Sequence, residues 1–178
     1  MKILSLSNSP LDSMWGCGKA VLRYVQGLRD LGHSVEVLEP RDFEMWCGLK
    51  KAKQHRMAIG AWKLVRQKLQ KENYELIEFY GAEFWLVAWK LSRLPERPLL
   101  IAHTHGLELL NMEKQRVYEP PASFINCISR KIYARLFYIY FKCSDALVCL
   151  CKTDWDYALK HGLYSKDRIA IVPHGIDE

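Results

Sequence analysis

The chain has 178 residues, of which 49% are hydrophobic and 26% charged, with a net charge of +6 and six cysteines. This composition is that of a globular protein and excludes a disordered one, and the length predicts a single domain. No apolar run reaches the roughly 18 residues of a membrane-spanning helix, and the first residues turn polar too early for a signal peptide. We therefore expect a cytoplasmic protein with reduced cysteines.

Short apolar strands alternate with helices along the chain. Strands are predicted at 2–7, 33–38, 75–80, 99–104, 146–150 and 168–172. Helices are predicted at 18–31, 59–71, 81–91, 123–142 and 153–161, and the segments after Pro40 and at 107–122 are predicted to be loops. The alternation predicts an α/β fold with a Rossmann-like, doubly wound, mostly parallel sheet covered on both faces. Ligands of such sheets bind beyond the carboxyl ends of the strands.

A glycine loop connects the first predicted strand to the first predicted helix. It contains Gly16, Gly18 and Lys19, and glycines at such a position let a ligand approach the backbone amides of a helix N-terminus. The segment lacks the further residues of a P-loop or a dinucleotide fingerprint, although Glu39 stands where a ribose-binding acid could lie. Two readings stay open: an anion or sugar site, and a plain turn into the helix.

Two histidines mark the end of the fourth predicted strand. His105 falls at the rim, where an imidazole could hydrogen-bond a ligand or move a proton near neutral pH. His103 lies deeper and is expected to be a core residue, while Glu108 follows on the same segment and could contact the same ligand. A third ligand for a metal is not evident, so we predict no metal site.

A basic segment and an aromatic helix remain. The basic segment runs from 49 to 71 without an acidic residue, and its candidate membrane contacts are Lys50, Lys51, Lys53, Arg56 and Trp62. It fits an anionic membrane surface or a solvated helix face equally, and no base-reading motif supports nucleic acid. In the predicted helix 123–142, aromatic residues and a helical repeat of aliphatic ones favour core packing over sugar stacking; the aliphatic ones are Ile125, Ile128, Ile132 and Leu136.

The ordered set of these signals resembles the N-terminal half of family 4 glycosyltransferases, which have two Rossmann-like domains in the GT-B fold. The likeness rests on four segments. They are Met1-Lys2-Ile3-Leu4 through the glycine loop to Leu31-Gly32-His33-Ser34-Val35, Pro98 to Glu108 with His-Thr-His-Gly-Leu-Glu, Ser144-Asp145-Ala146-Leu147-Val148, and Ile171-Val172-Pro173-His174-Gly175-Ile176-Asp177. Cys151 and His174 stand where the family usually has serine and asparagine.

The resemblance implies a retaining transferase that moves a sugar from a nucleotide sugar to an acceptor, with no cofactor besides that donor. It implies that this domain holds the sugar acceptor and that a C-terminal domain holds most of the nucleotide sugar. Gly16 and Gly18 would bring amides near the donor phosphate or the acceptor, His105 would lie beside the transferring sugar, and Gly175 and Asp177 would mark the interdomain hinge.

Three hypotheses follow for the whole chain. In the first, residues 1–178 are the acceptor-side domain, the donor-binding domain is absent, and the chain alone is inactive because it lacks cations to neutralise the leaving diphosphate. In the second, the chain is a separate, non-catalytic acceptor-binding or membrane-docking subunit of a two-chain glycosyltransferase. In the third, it is an unrelated Rossmann-like binder of a nucleotide or flavin.

Overall fold

The computed structural model describes residues 1–12, 16–46, 52–118 and 123–173. In these ranges the strands are β1 (Lys2–Ser7), β2 (Ser34–Leu38), β3 (Leu76–Tyr80), β4 (Leu99–His103), β5 (Ala146–Cys149) and β6 (Ile169–Ile171). The helices are α1 (Gly16–Asp30), α2 (Pro40–Phe43), α3 (Lys53–Leu69), α4 (Trp85–Leu91), α5 (Glu108–Tyr118), α6 (Phe124–Cys143) and α7 (Lys152–Lys160). Short 3₁₀ helices occupy Ala82–Phe84 and Lys166–Arg168.

The strands form one sheet in the order β2-β1-β3-β4-β5-β6, and every described pairing is parallel. The prediction of a Rossmann-like parallel sheet is confirmed. Strand β1 lies between β2 and β3, so the chain leaves it first toward one side and later toward the other. The carboxyl ends of β1 and β3 are therefore the switch point at which doubly wound sheets bind their ligands.

Two clusters of buried side chains cover the two faces of the sheet unequally. The smaller cluster holds the buried residues of α1 on the strands, namely Val21 and Val25 with Ile3, Val35, Leu76 and Tyr80. The larger cluster holds the other face against α3, α4 and α6, with Leu6, Phe79, Ala102 and Leu147 at its centre. Both faces are covered, as predicted, but among the described helices α1 alone supplies buried residues to the smaller cluster.

Three helices differ from the sequence prediction. The predicted loop after position 40 begins with α2, because Pro40 needs no amide partner at its first position and Asp42 accepts a 2.9 Å hydrogen bond from the amide of Glu39. Helix α3 begins at Lys53 rather than 59, since Met57 lies in the core. The predicted loop 107–122 contains α5, whose Leu109, Leu110 and Met112 pack on the larger cluster.

Helix α6 is a fourth difference. Its C-terminal half is core, with Phe137, Tyr140 and Phe141 buried. The prediction that its aliphatic repeat is core as well is wrong for Ile125, Ile128 and Ile132, which are exposed to solvent. These residues fall on the side of the helix opposite to the buried aromatic residues, so the helical spacing identified a common face without saying what covers it.

The entry into β5 is held by an ion pair. Arg97 donates two hydrogen bonds to Asp145, from Nη1 to Oδ2 at 2.5 Å and from Nη2 to Oδ1 at 2.7 Å, and the amide of Leu100 donates to Oδ2 at 2.8 Å. Burial pushes the pKa of Asp145 up, but these hydrogen bonds outweigh it and hold the pKa below its usual value. Asp145 therefore ties the strand that follows it to β4.

No helix in the described ranges is long and apolar enough to cross a lipid bilayer.

Candidate functional site

Helix α1 and the carboxyl ends of β3 and β4 enclose a small crevice. Ala20 and Tyr24 line it from α1, Tyr80 from β3, and His103, Thr104 and His105 from β4 and the residues after it, with Val148, Leu150 and Val172 beyond. Its volume of about 20 Å³ has room for one water molecule and not for a sugar ring. A larger ligand at this point must lie at the mouth of the crevice or move its walls.

A buried carboxylate organises the floor of the crevice. Glu78 Oε2 accepts hydrogen bonds from Ser5 Oγ at 2.8 Å and Tyr80 Oη at 3.4 Å, and Glu78 Oε1 lies 3.3 Å from His103 Nε2. The Tyr80 ring stacks on that imidazole with ring centres 4.3 Å apart. Burial, then the charge of Glu78, raises the pKa of Tyr80 well above its usual value, so the phenol remains a donor. His103 therefore has the core role that its depth in the strand predicts.

His105 and Thr104 lie above this floor. His105 follows β4 and is half-buried. Its imidazole stacks on the Tyr80 ring, with ring centres 6.1 Å apart. Thr104 is 2% exposed, and its Oγ1 has no hydrogen-bond partner among the described residues. A buried hydroxyl of this kind is satisfied by water or by a ligand. The structure thus brings His105 to the crevice and adds Thr104, which sequence reasoning passed over although it stands between the two histidines.

The glycine segment belongs to the first turn of α1 rather than to a loop. A Cβ added to Gly18 would lie 2.3 Å from the carbonyl oxygen of Pro10, so the chain's own backbone occupies that side of the glycine. A Cβ on Gly16 would meet no described atom within 4 Å, so that position is open to a ligand. Lys19 is exposed on the same turn.

Glu39 does not point to a ribose site. It is buried, and its Oε2 accepts a 3.0 Å hydrogen bond from the amide of Leu11 while Arg41 pairs with Oε1. Glu39 therefore holds the segment that follows β1 in place. This contact accounts for an acidic residue about 20 positions after the glycines.

Glu108 is the first residue of α5 and reaches back to the switch point. Its Oε1 accepts a 3.2 Å hydrogen bond from the amide of Ala82, while Oε2 is buried and has no partner among the described residues. Burial first, then the charges of Glu83 and Asp154, raises the pKa of Glu108 to about 8. At neutral pH this carboxyl is mostly protonated, so it can donate a hydrogen bond.

The switch point itself has a polar pair that the sequence analysis missed. Asn8 directly follows β1. Its side-chain Nδ2 donates to Glu83 Oε2 at 2.9 Å, and its backbone amide donates to the carbonyl oxygen of Tyr80 at 3.2 Å. Gly81 permits this approach, because its φ is +129° and a Cβ there would lie 2.2 Å from Asn8 Nδ2. The signal in the sequence was a glycine immediately after the predicted strand 75–80.

The candidate membrane contacts that the structure describes differ in their exposure to solvent. Arg56 is a correction: it is buried, and it donates to the carbonyl oxygen of Trp46 at 2.6 Å and to Glu44 Oε1 at 3.3 Å, so it cannot contact lipid. Trp62 is half-buried and packs against the larger cluster, whereas Lys53 is exposed at the start of α3. Lys50 and Lys51 lie outside the described residues, as do the hinge candidates Gly175 and Asp177. In the parts of the chain that the structure describes, no group of three potential ligands could hold a metal ion.

The strand order and the parallel pairing define a Rossmann-like α/β domain. Within that class, residues 16–178 match the model of Glycosyltransferase Family 4, and the chain belongs to this family. The resemblance found in the sequence is thereby confirmed. Comparison with curated protein sequences gives no match.

A solved structure shares the fold, and a second one aligns over nearly all of this chain. A sucrose-phosphate synthase from Thermosynechococcus elongatus aligns with a TM-score of 0.68 and 13% identity, over 97% of this chain and 48% of its own. A structure described as the glycotransferase of kitacinnamycin aligns with a TM-score of 0.49 and 9% identity, over 99% of this chain and 52% of its own. The chain thus spans about half the length of these proteins.

Proposed function

We propose that this chain is the acceptor-binding half of a glycosyltransferase that moves a sugar from a nucleotide sugar to an acceptor. Membership of Glycosyltransferase Family 4 supports the reaction class. The observation that carries the proposal is the crevice at the carboxyl ends of β3 and β4. There His105 and Thr104, whose hydroxyl has no partner among the described residues, lie beside Ala20 and Tyr24 of α1.

Each candidate residue has a role in this proposal. His105 contacts the sugar at the mouth of the crevice, where an imidazole can donate or accept a hydrogen bond. Gly16 leaves the first backbone amides of α1 open to an anionic or hydroxyl group, and Lys19 adds a cation on the same turn. Glu108 supports the site from the neighbouring switch point. The proposal needs no cofactor apart from the nucleotide sugar, which is a substrate.

The donor is assigned to a second domain in this proposal. The chain spans about half the length of the structures it resembles, and the described crevice is too small for a nucleotide sugar. In this proposal residues 1–178 form the acceptor-side domain. A separate acceptor-binding or membrane-docking subunit that works with a catalytic chain is the second candidate, since the same crevice serves it.

We also propose that the protein works in the cytoplasm at the inner face of a membrane. The described cysteines are free thiols, which fits a reducing compartment. The net charge of +6 and the exposed Lys53 support an anionic surface as a partner, whereas nucleic acid is not proposed.

Acceptor binding is tested on the chain itself. An isotope-labelled chain is titrated with a panel of sugars and sugar phosphates, and backbone amide shifts are followed by NMR. Residues 103–108 and the first turn of α1 are expected to shift together. His105→Ala should weaken the binding about tenfold, the value of one good hydrogen bond to a polar ligand. His33→Ala is the matched control, because His33 precedes β2 at the opposite edge of the parallel sheet.

The outcomes separate the hypotheses. Shifts confined to residues away from the crevice, or equal binding by both histidine variants, would overturn the acceptor role. Tight binding of a nucleotide or flavin by the isolated chain would instead favour the third hypothesis. In a protein that joins this domain to a donor-binding domain, His105→Ala should lower turnover while circular dichroism shows an unchanged fold.

A further inference from the structure

An exposed apolar face runs along the first half of α6. Phe124 and Ile125 are 80% and 76% exposed, and Ile128 and Ile132 are 44% and 48% exposed. Their spacing of three and four residues places them on one side of the helix, away from the buried aromatic residues. We call these four side chains the α6 face. Solitary exposed apolar residues are ordinary, but a contiguous group of large ones marks an interaction surface.

The α6 face borders an open groove against the start of α3. Ile125, Ile128 and Ile132 line it together with Ser129, Tyr133 and His55, and its volume is about 260 Å³. The ring of His55 stacks on Tyr133 with centres 5.5 Å apart and closes one side. The groove is lined mostly by hydrocarbon, so a polar sugar gains little there, whereas an acyl chain or an apolar side chain buries its surface.

The charged side chains of α3 and α6 have one sign. Neither α3 nor α6 contains an aspartate or glutamate along its 17 and 20 residues. Lys131 and Arg135 are exposed on the α6 side that carries Ile128 and Ile132, and Lys53 is exposed at the start of α3. The partner of this surface must therefore be both apolar and anionic.

We propose that the α6 face and its flanking cations bind the surface of an anionic lipid bilayer, with the aliphatic side chains inserted among the lipids and the cations on the headgroups. An anionic bilayer supplies both required properties over a broad surface. A second copy of the chain supplies an apolar surface but no anionic one, because a symmetric contact would bring these cations together. Nucleic acid would leave the isoleucines without an apolar partner.

This inference deepens the membrane part of the proposed function and moves it from the basic segment to α6. The first half of α6 lies at the crevice end of the molecule, because α6 follows β4 and runs back toward the start of β5. A bilayer bound there would lie beside the mouth of the crevice. The binding itself needs no sugar transfer, so it is measured independently of the acceptor experiment.

The experiment is flotation of the full chain with two kinds of vesicle, phosphatidylcholine alone and phosphatidylcholine with phosphatidylglycerol. We expect binding to the anionic vesicles, weakened by added salt, and little to the neutral ones. The double substitution Phe124→Ser with Ile125→Ser should lower the binding about tenfold or more, because it removes two inserted side chains. Lys131→Glu with Arg135→Glu should lower it by a similar factor.

Matched controls lie elsewhere on the surface. Leu31→Ser removes a 75% exposed apolar side chain after α1, and Lys160→Glu reverses an exposed cation at the end of α7. Both should float like the unchanged chain. All the substituted side chains are exposed, so circular dichroism and the unfolding temperature should stay constant.

Three results would overturn the proposal. One is no flotation of the folded chain with anionic vesicles. The second is equal flotation of both α6 variants and the controls. The third is a concentration-dependent dimer in sedimentation that Phe124→Ser with Ile125→Ser abolishes without changing flotation, which would assign the α6 face to a second copy.

Discussion

The carbonyl oxygen of Pro10 lies where the side chain of any residue larger than glycine would begin at position 18: a Cβ on Gly18 would be 2.3 Å from it. The second glycine of the segment is thus required by the chain's own backbone after β1. The same contact places the start of α1 against the segment that follows β1. Gly18 is therefore required by the packing of the backbone, whether or not a ligand contacts it.

Replacing Gly18 should therefore destabilise the fold. Gly18→Ala forces the Pro10 segment or α1 to move, and overpacking of this kind costs about 1–3 kcal/mol. Gly27→Ala on the same helix is the control. A Cβ there meets nothing within 4 Å, and alanine in an exposed helix interior should stabilise the protein by about 0.5–1 kcal/mol. Urea unfolding measures both, and a neutral Gly18→Ala would contradict the steric account.

The Glu78 carboxylate should be the most sensitive polar group of the sheet. Glu78→Ala leaves the buried Ser5 and His103 without their hydrogen-bond partner, so the free energy of unfolding should fall by about 1–3 kcal/mol. Glu75→Ala, whose side chain is 62% exposed and pairs with the chain terminus, should change it by less than about 1 kcal/mol. Equal effects of the two substitutions in chemical unfolding would refute the network.

Glu108 should make stability fall with rising pH. Its pKa is raised from 4.5 to about 8 by burial and by Glu83, so between these values the folded protein binds more protons than the unfolded chain. The contribution is present at low pH and is lost as pH rises through the folded pKa. Glu108→Gln keeps the acceptor for the amide of Ala82 and removes the titration, so at pH 8 it should be more stable than the unchanged chain by about 1–3 kcal/mol.

The control for this titration is Glu96→Gln at an exposed position. Its stability curve should run parallel to that of the unchanged chain from acid to alkaline pH. If Glu108→Gln followed the same curve as Glu96→Gln, the carboxyl of Glu108 would be ionised in the folded protein at neutral pH.

Asp145 should show the opposite slope. Its pKa is held below 3.8, so its contribution is present at neutral pH and is lost as pH falls through the folded pKa. Asp145→Asn should cost about 1–3 kcal/mol at pH 7, and the difference should disappear in acid. Asp156→Asn removes an exposed pair with Lys152 and should cost no more than about 0.5 kcal/mol. Thermal unfolding at several pH values compares the two, and a cost for Asp145→Asn that persists in acid would exclude the ion pair as its cause.

The sheet was predictable because its strands are short apolar runs that each end in turn residues. β1 has the predicted bounds, and the other strands differ from theirs by a residue or two at their ends. The helices were harder. Helix α5 was missed because its core contacts come from only Leu109, Leu110 and Met112, too few to show a strong period. In α6, the exposed Ile128 and the buried Phe137 are equally apolar, and only the packing of the other elements decides which is covered.

The site was predictable in part for a related reason. His105 could be placed at the rim because the carboxyl ends of parallel strands lie at the same edge of the sheet. A histidine at the end of a predicted strand is therefore expected at that edge. Arg56 was misplaced because a cation in a basic segment gives no sign that a distant carbonyl, that of Trp46, will accept its hydrogen bond. Whether the hydroxyl of Thr104 has a hydrogen-bond partner depends on the groups around it, and those groups are known only from the folded structure.

The strand order has a consequence for how the protein is made. From β2 onward, each strand pairs with a strand that precedes it in the chain: β2 and β3 with β1, and β4, β5 and β6 each with the one before. The sheet can therefore grow outward as the polypeptide leaves the ribosome, each new segment docking on an edge that is already synthesised. After β1, each described strand finds its first neighbour already synthesised.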